Sequence, residues 1–332
     1  MMTTEELMGV EEASVPLEPQ EQTGSKAGLT IRVPACCANL GPGFETLALA
    51  IKQYLTVTVS VQAPHKGQGI KITTNGELAS QLPTDNSNLI AKVLEQVWLQ
   101  DPRLLPCLSV GIETDFLPYY GLGYSAAATT AAVTAALALG GVQLEKGRIF
   151  AEATKYEGNA ASAGASIFGG FMICAPNIVP GDILARKLTW SENWSLIATI
   201  PPYTIPAKKA RAALPASVSH KDAVYNVQKM ALMIEAVAAA DNESMKAALK
   251  DKLQDPYKGK LVPELAEVRK LLQEHDVLGS VLSGGGPTIL TIVESTQKPF
   301  VIKELEKWAT AKKNSCRIMA LEIDQDGLVV AD

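Results

Sequence analysis

The chain reads as an α+β protein of two domains, and three observations carry that reading. Short β-branched segments suited to strands alternate with longer stretches at helical spacing. Its 332 residues exceed the usual single-domain size of roughly 100–200. Between residues 177 and 193 the pattern breaks at Pro180-Gly181-Asp182, and a new apolar strand begins at Trp194. The expected division is a leader over 1–28, a first domain over 29–185 and a second over 186–332.

Residues 1–26 are polar and rich in Glu and Pro, with no basic start leading into an apolar core, so they read as a disordered leader rather than a signal peptide. Residues 30–34 and 55–61 read as strands from their β-branched content, and 70–73 and 108–113 extend the pattern. Residues 89–99 carry helical spacing. The run 125–144 is uncharged over about the length of a membrane span, but Ala, Thr and Gly dominate it instead of Leu, Ile and Phe. That composition predicts a buried helix over 125–139. A short amphipathic helix follows at 146–156, and residues 166–171 turn into another strand. Beyond the break, 194–200 is a strand closed by Pro201-Pro202, and 222–239, 243–253, 263–275 and 300–312 are helices, with apolar strands at 277–282 and 289–293. No internal repeat stands out.

The formal net charge of −5 supplies no basic field, and no aromatic-plus-basic stripe is present, so neither nucleic acid nor an anionic membrane is an expected partner. A small-molecule substrate fits better. The five cysteines lack CxxC spacing and the three histidines are scattered, which supports neither a disulfide framework nor a zinc site. Adjacent Cys36 and Cys37 read as small buried thiols in preference to a redox pair. A reducing cytoplasm is the expected location.

Glycine marks the places where chemistry is expected. In Val33-Pro34-Ala35-Cys36-Cys37-Ala38-Asn39-Leu40-Gly41-Pro42-Gly43-Phe44-Glu45, an apolar strand runs into Gly, Pro and polar side chains; this is either a ligand-facing loop or an ordinary turn. Two more clusters tilt the choice toward a ligand. Gly121-Leu122-Gly123-Tyr124-Ser125 opens the Ala-rich helix, and Ser283-Gly284-Gly285-Gly286-Pro287-Thr288 lies between two apolar strands. Three such loops suggest one shared anion site, with the helix N-terminus aimed at the anion. There is no GxxxxGK[ST] motif, so the cradle is not of the Walker type.

In order and spacing these clusters resemble the three signature motifs of the GHMP kinases, and the first is most similar to that of homoserine kinases. The resemblance runs from about residue 29 to the C-terminus. It implies a two-domain fold, with an N-terminal domain like ribosomal protein S5 domain 2 and a ferredoxin-like C-terminal domain. It also implies a cytoplasmic ATP- and Mg2+-dependent transferase of threonine biosynthesis, with a homodimer common among relatives. By the same resemblance, Gly121, Leu122, Gly123, Tyr124, Ser125 and Ala126 form the phosphate loop and Asn88 reaches the adenine region. Ser125 and Glu157 hold the metal, although Glu157 taken alone also reads as a solvated charge at a helix end. Ser283, Gly284, Gly285 and Gly286 form the third motif. Asn39, Glu45, Ser162, Arg211 and Lys258 meet the acceptor, with catalytic roles on Arg211 and Asn39.

The departures from the family pattern are as informative. Tyr124 replaces the first of the family's paired serines, and Pro118-Tyr119-Tyr120 makes the loop before it one residue shorter, so bulky rings are expected to intrude on the triphosphate. The family's His-Pro-Asp-Asn aligns with Asn159-Ala160-Ala161-Ser162, which removes a carboxylate and an amide. Ala207 stands for a threonine and Lys258 for an arginine, exchanging a planar two-pronged donor for a point charge. Glu45 stands for aspartate, moving its carboxylate by about 1.5 Å. Three readings follow: a homoserine-kinase-like phosphotransferase, a pseudokinase that keeps the shape without turnover, and a non-kinase enzyme in a remodelled cleft.

Overall fold

A computed structural model describes residues 28–62, 69–98, 107–312 and 315–331. The leader expected over 1–26 lies outside the described residues. The chain opens with β1 (Leu29–Ala38) and β2 (Leu47–Val61), an antiparallel pair joined by the loop 39–46. The register slips between Pro34 and Ala35, where proline offers no N–H to the ladder. The strand bends there, and Ala35–Ala38 carries the loop toward the molecule's centre. β3 (Ile70–Thr74), α1 (Leu89–Val97) and β4 (Leu108–Thr114) follow, with β4 antiparallel to β2 and β3 parallel to β4.

α2 (Tyr124–Leu139) is the central helix, with thirteen of its sixteen residues buried. Its Ala and Thr side chains are small enough for β1, α1, α3 (Lys146–Ala153) and α4 (Ala160–Phe168) to pack closely around it. The expectation of a buried helix in place of a membrane span holds, and among the described residues no helix is long and apolar enough to cross a membrane. α4 itself departs from expectation, since residues 166–171 were read as turning into strand. The helix instead runs from an Asn159 cap to Gly169, whose left-handed φ of +72° ends it. β5 (Phe171–Pro176) then pairs with β2 and with β6 (Ile183–Leu188). The break at 180–182 is thus the turn of a hairpin in the first sheet.

The second sheet is built from β7 (Trp194–Ile200), β8 (Val277–Leu282), β9 (Ile289–Glu294) and β10 (Arg317–Leu321), all antiparallel in the order β10-β7-β9-β8. Helices α5 (Ala207–Ala212), α6 (His220–Ala239), α7 (Asn242–Ala248), α8 (Asp255–Lys258) and α9 (Pro263–Leu271) lie between β7 and β8, and α10 (Lys298–Ala311) lies between β9 and β10. This is the βαββαβ order of a ferredoxin-like unit. The helix expected over 243–253 ends at Ala248, and the residues after it turn back toward the first loop. The chain then recrosses to β11 (Val329–Ala331), which pairs with β1. Alternation along β7 explains how the sheets join: Leu196 and Ala198 face the large core shared with the first sheet, while Ile197 faces a smaller core with Val268, Leu305 and Trp308. The large core is common to both sheets, and the smaller one lies within the second unit.

Candidate active site

The three glycine loops meet through hydrogen bonds onto one another's backbone carbonyls. Cys36 N–H donates to Leu122 O at 3.1 Å, Gly284 N–H to Ala38 O at 2.7 Å, and Ser283 Oγ to Gly121 O at 2.6 Å. Gly121 and Gly123 both have left-handed φ, +80° and +73°, and a Cβ on either would stand 2.3 Å from its neighbour, Ser283 O or Cys36 Sγ. The glycines expected to wrap a phosphate are therefore first required by the contact of loop with loop. Cys36 and Cys37 are wholly buried at this junction, and burial pushes their thiols up to about 12 and about 11, which keeps them protonated.

Around this junction lies a cavity of about 490 Å³. Among the predicted site residues, Asn39, Glu45, Asn88, Gly121, Gly123, Tyr124, Ser125, Glu157, Ser162, Arg211, Lys258, Gly284, Gly285 and Gly286 line it. Leu122, Ala126 and Ser283 lie beneath the wall, 7%, 1% and 0% exposed. Gly123 caps α2 without a side chain, which leaves the first N–H groups of that helix open to an anion. The intrusion expected of Tyr124 does not occur. Its ring is 6% exposed and packs edge-on against Phe116 at 5.9 Å, forming wall instead of plug, while Tyr119 stands exposed at the rim. Asn88 caps α1, accepting from Ile90 N–H at 2.9 Å, and donates to Pro83 O at 2.7 Å, so most of its amide is engaged in holding the loop.

Ser125 Oγ donates to Glu157 Oε2 at 2.7 Å. Burial raises the Glu157 carboxyl above the usual carboxylate range, opposed by the Ser125 hydroxyl, the Asn159 N–H and the charge of Arg211. Glu157 is thus part of the cavity wall, not a solvated helix-end charge. Among the described residues no group of three or more His, Cys, Asp or Glu forms a cage for a metal. A hydroxyl and one carboxylate nonetheless suit a hard cation such as Mg2+, which keeps waters and binds phosphate oxygens for its remaining positions. The donor set fits that ion.

At the other end, Asn39 holds a left-handed backbone (φ +60°) and its Oδ1 accepts from Glu45 N–H at 2.7 Å and from Asn159 Nδ2 at 3.1 Å. Its amide joins the first loop to the cap of α4, where Asn159 Oδ1 also accepts from Ser162 N–H at 2.9 Å. Asn39 therefore holds the loops together while it also lines the cavity. Glu45 and Arg211 are exposed at the cavity wall, whereas Lys258 is buried, with Nζ 4.7 Å from the centre of the Phe44 ring. Ser162 lines the cavity, but Ala161 is completely buried and lies outside the lining. Gln254 escaped the sequence reading. No motif marks it, and both carbonyls to which its side chain donates lie more than two hundred positions away.

Residues 88–170 match the family model for the GHMP kinases N-terminal domain and residues 233–310 the model for the GHMP kinases C-terminal domain. The homoserine kinase of Aquifex aeolicus is 32% identical over 305 residues, covering 91% of this chain and 99% of that protein. The homoserine kinase of Solibacter usitatus is 35% identical over 273 residues, covering 82% and 87%. Among solved structures, a homoserine kinase from Cytophaga hutchinsonii superposes with a TM-score of 0.79 at 21% identity, over 94% of this chain and all of that one. A mevalonate diphosphate decarboxylase from Staphylococcus aureus superposes at 0.68 with 15% identity, over 92% and 98%. At such identities the superpositions speak for the fold. With both halves matched and nine-tenths of its length aligned to relatives above 30% identity, the chain belongs to the GHMP kinase family, with homoserine kinases as its curated relatives.

Proposed function

We propose that this protein is a homoserine-kinase-like phosphotransferase that moves the γ-phosphoryl group of ATP, with Mg2+, to the hydroxyl of L-homoserine or a closely related small acceptor, a step toward threonine. The observation that carries the reading is the convergence of three glycine loops, the open N-terminus of α2, the Ser125–Glu157 pair and the Arg211, Lys258 and Glu45 charges on one cavity. Magnesium-bound ATP, when present, supplies the phosphoryl group and neutralises its charge. The chain's residues supply position and electrostatics.

The first N–H groups of α2 and the loop 284–286 face the phosphates. Ser125 and Glu157 hold the metal's protein side. Arg211 and Lys258 grip the acceptor carboxylate, and Glu45 receives its ammonium. Ser162 stands at the position of the family's lost amide, and it lines the cavity. With Ala161 buried, no carboxylate stands at that position to take the acceptor's proton. This chemistry tolerates the loss, because the loose transition state depends chiefly on alignment and charge.

The test is ADP release by the purified protein with magnesium-ATP and L-homoserine, alongside thermal shifts with each ligand alone. We expect acceptor-dependent ADP release, stabilisation by nucleotide, and a fall in kcat on the order of 10²-fold in Glu157→Gln. The absence of both ADP release and nucleotide stabilisation would sink the kinase reading. Stabilisation without turnover on homoserine would point to another acceptor or to the pseudokinase.

A further inference from the structure

Gln254 is 4% exposed and joins three groups, two on the distant 39–41 loop and one on Lys258, a helical turn ahead. Its Nε2 donates to Asn39 O at 2.6 Å and Gly41 O at 3.2 Å, and its Oε1 accepts from Lys258 Nζ at 3.0 Å. Only an amide can donate to two carbonyls while accepting from an ammonium. Its backbone is held as firmly. Asp251 Oδ2 accepts the Gln254 N–H at 2.8 Å, and Asp255 pairs with Arg269 at 2.8 Å, whose guanidinium also donates to Ser280 O on β8. Lys258 lies over the Phe44 ring and lines the cavity beside Arg211 and Glu45.

We propose that Gln254 is a positioning residue for the acceptor, clamping the Lys258 ammonium to the backbone of the 39–41 turn so that it and Arg211 address one carboxylate. The inference rests on the acceptor reading above. A neutral clamp gives Lys258 no counter-charge in direct contact. The charged groups facing it are Glu45 from the first loop and Asp251 after α7, which favour the ammonium, and Arg211 on α5, which opposes it. Burial is the largest influence and lowers Lys258 to about 8. Below that pH the ammonium holds the acceptor carboxylate, and above it the hold is lost. The KM for an anionic acceptor should therefore rise through pH 8, by up to about tenfold per pH unit, while kcat changes little.

The full chain decides this in two measurements. In the first, a 13Cε-lysine NMR titration compares wild type with Gln254→Glu, which places a carboxylate against Lys258. We expect Lys258 to keep its proton about one pH unit higher in the variant. Titration at the same pH in both proteins overturns the clamp, whether or not the protein turns over homoserine. In the second, kcat and KM for L-homoserine and ATP are followed from pH 6.5 to 9.5. Gln254→Glu should carry the rise in homoserine KM to higher pH with the KM for ATP unmoved. Lys258→Arg should abolish the Lys258 component of the rise, leaving only titration of the acceptor's own ammonium. A Lys258→Arg profile that follows wild type overturns the proposal. Absence of turnover defeats the acceptor reading and leaves the NMR result to judge the clamp.

Discussion

At the glycine end of the cavity the chain touches itself chiefly through backbone, with Gly284 N–H on Ala38 O and Cys36 N–H on Leu122 O, and the Ser283 hydroxyl adds a bond to Gly121 O. At the acceptor end the contacts run through side chains, with the Asn39 and Asn159 amides joined to each other and Gln254 reaching from Lys258 to the first loop. Backbone geometry can be altered only where a Cβ is forced in, whereas a side-chain network can be rewritten one residue at a time. The departures from the family pattern gather accordingly: Glu45, Ser162, Ala207 and Lys258 all line the acceptor end. At the glycine end the one large change, Tyr124, is absorbed into the core against Phe116.

The comparison breaks most severely at Gly123. Gly123→Ala puts a Cβ 2.3 Å from Cys36 Sγ on a backbone at φ +73°, and the strain and overpacking together should cost roughly 4 kcal/mol, measured as a lowered denaturant midpoint with unchanged slope. A cost below about 1 kcal/mol would show that the loops are not locked.

Lys258→Met should move in the opposite direction. Lys258 is 4% exposed and is held near 8 in the folded protein against an ordinary value of 10.5. Between those pH values the unfolded chain binds the extra proton, so stability rises as pH climbs through the window, and below it the buried ammonium costs roughly 3 kcal/mol. The variant should be more stable than wild type at pH 7 by about that amount, with the advantage fading toward pH 10.5, and should bind the acceptor less well. Denaturation curves at three pH values suffice; equal stability throughout would mean that Lys258 is better solvated than its burial implies.

A smaller effect is expected from Ala161→Asp, which restores the family's carboxylate. Since Ala161 is fully buried, the new charge meets little solvent and should cost about 2 kcal/mol, partly offset by its place in the first turn of α4. Thermal melts with homoserine kinetics would show whether activity rises despite the cost. A gain in activity without loss of stability would mean that the side chain swings into the cavity.

The glycine end was legible because positive φ and close approach leave residue types no alternative, and Gly121, Gly123 and Gly284–Gly286 announce themselves. The buried α2 was legible from its Ala and Thr content, and both sheets from β-branched runs. α4 was not, because Ala160–Phe168 is small and apolar on nearly every side and shows no clear amphipathic period. β6 was hidden because it is an edge strand whose short apolar run is interrupted by Arg186 and Lys187 and is nowhere fully buried. Gln254 could not be found at all from the chain. Its importance lies in meeting Asn39 and Gly41, a juxtaposition that the fold alone creates. The same holds for Ala161 and Tyr124, whose types were plain but whose depths depend on how α4 and α2 are seated.

The mutual bonding of the three loops also bears on how the cavity works in time. A floor tied at Ala38, Gly121 and Gly284 is ordered before any ligand arrives, so the entropy of assembling the phosphate-facing donors is charged to folding and not to each catalytic cycle. The exposed rim, where Tyr119, Arg211 and Lys92 lie, stands outside that knot.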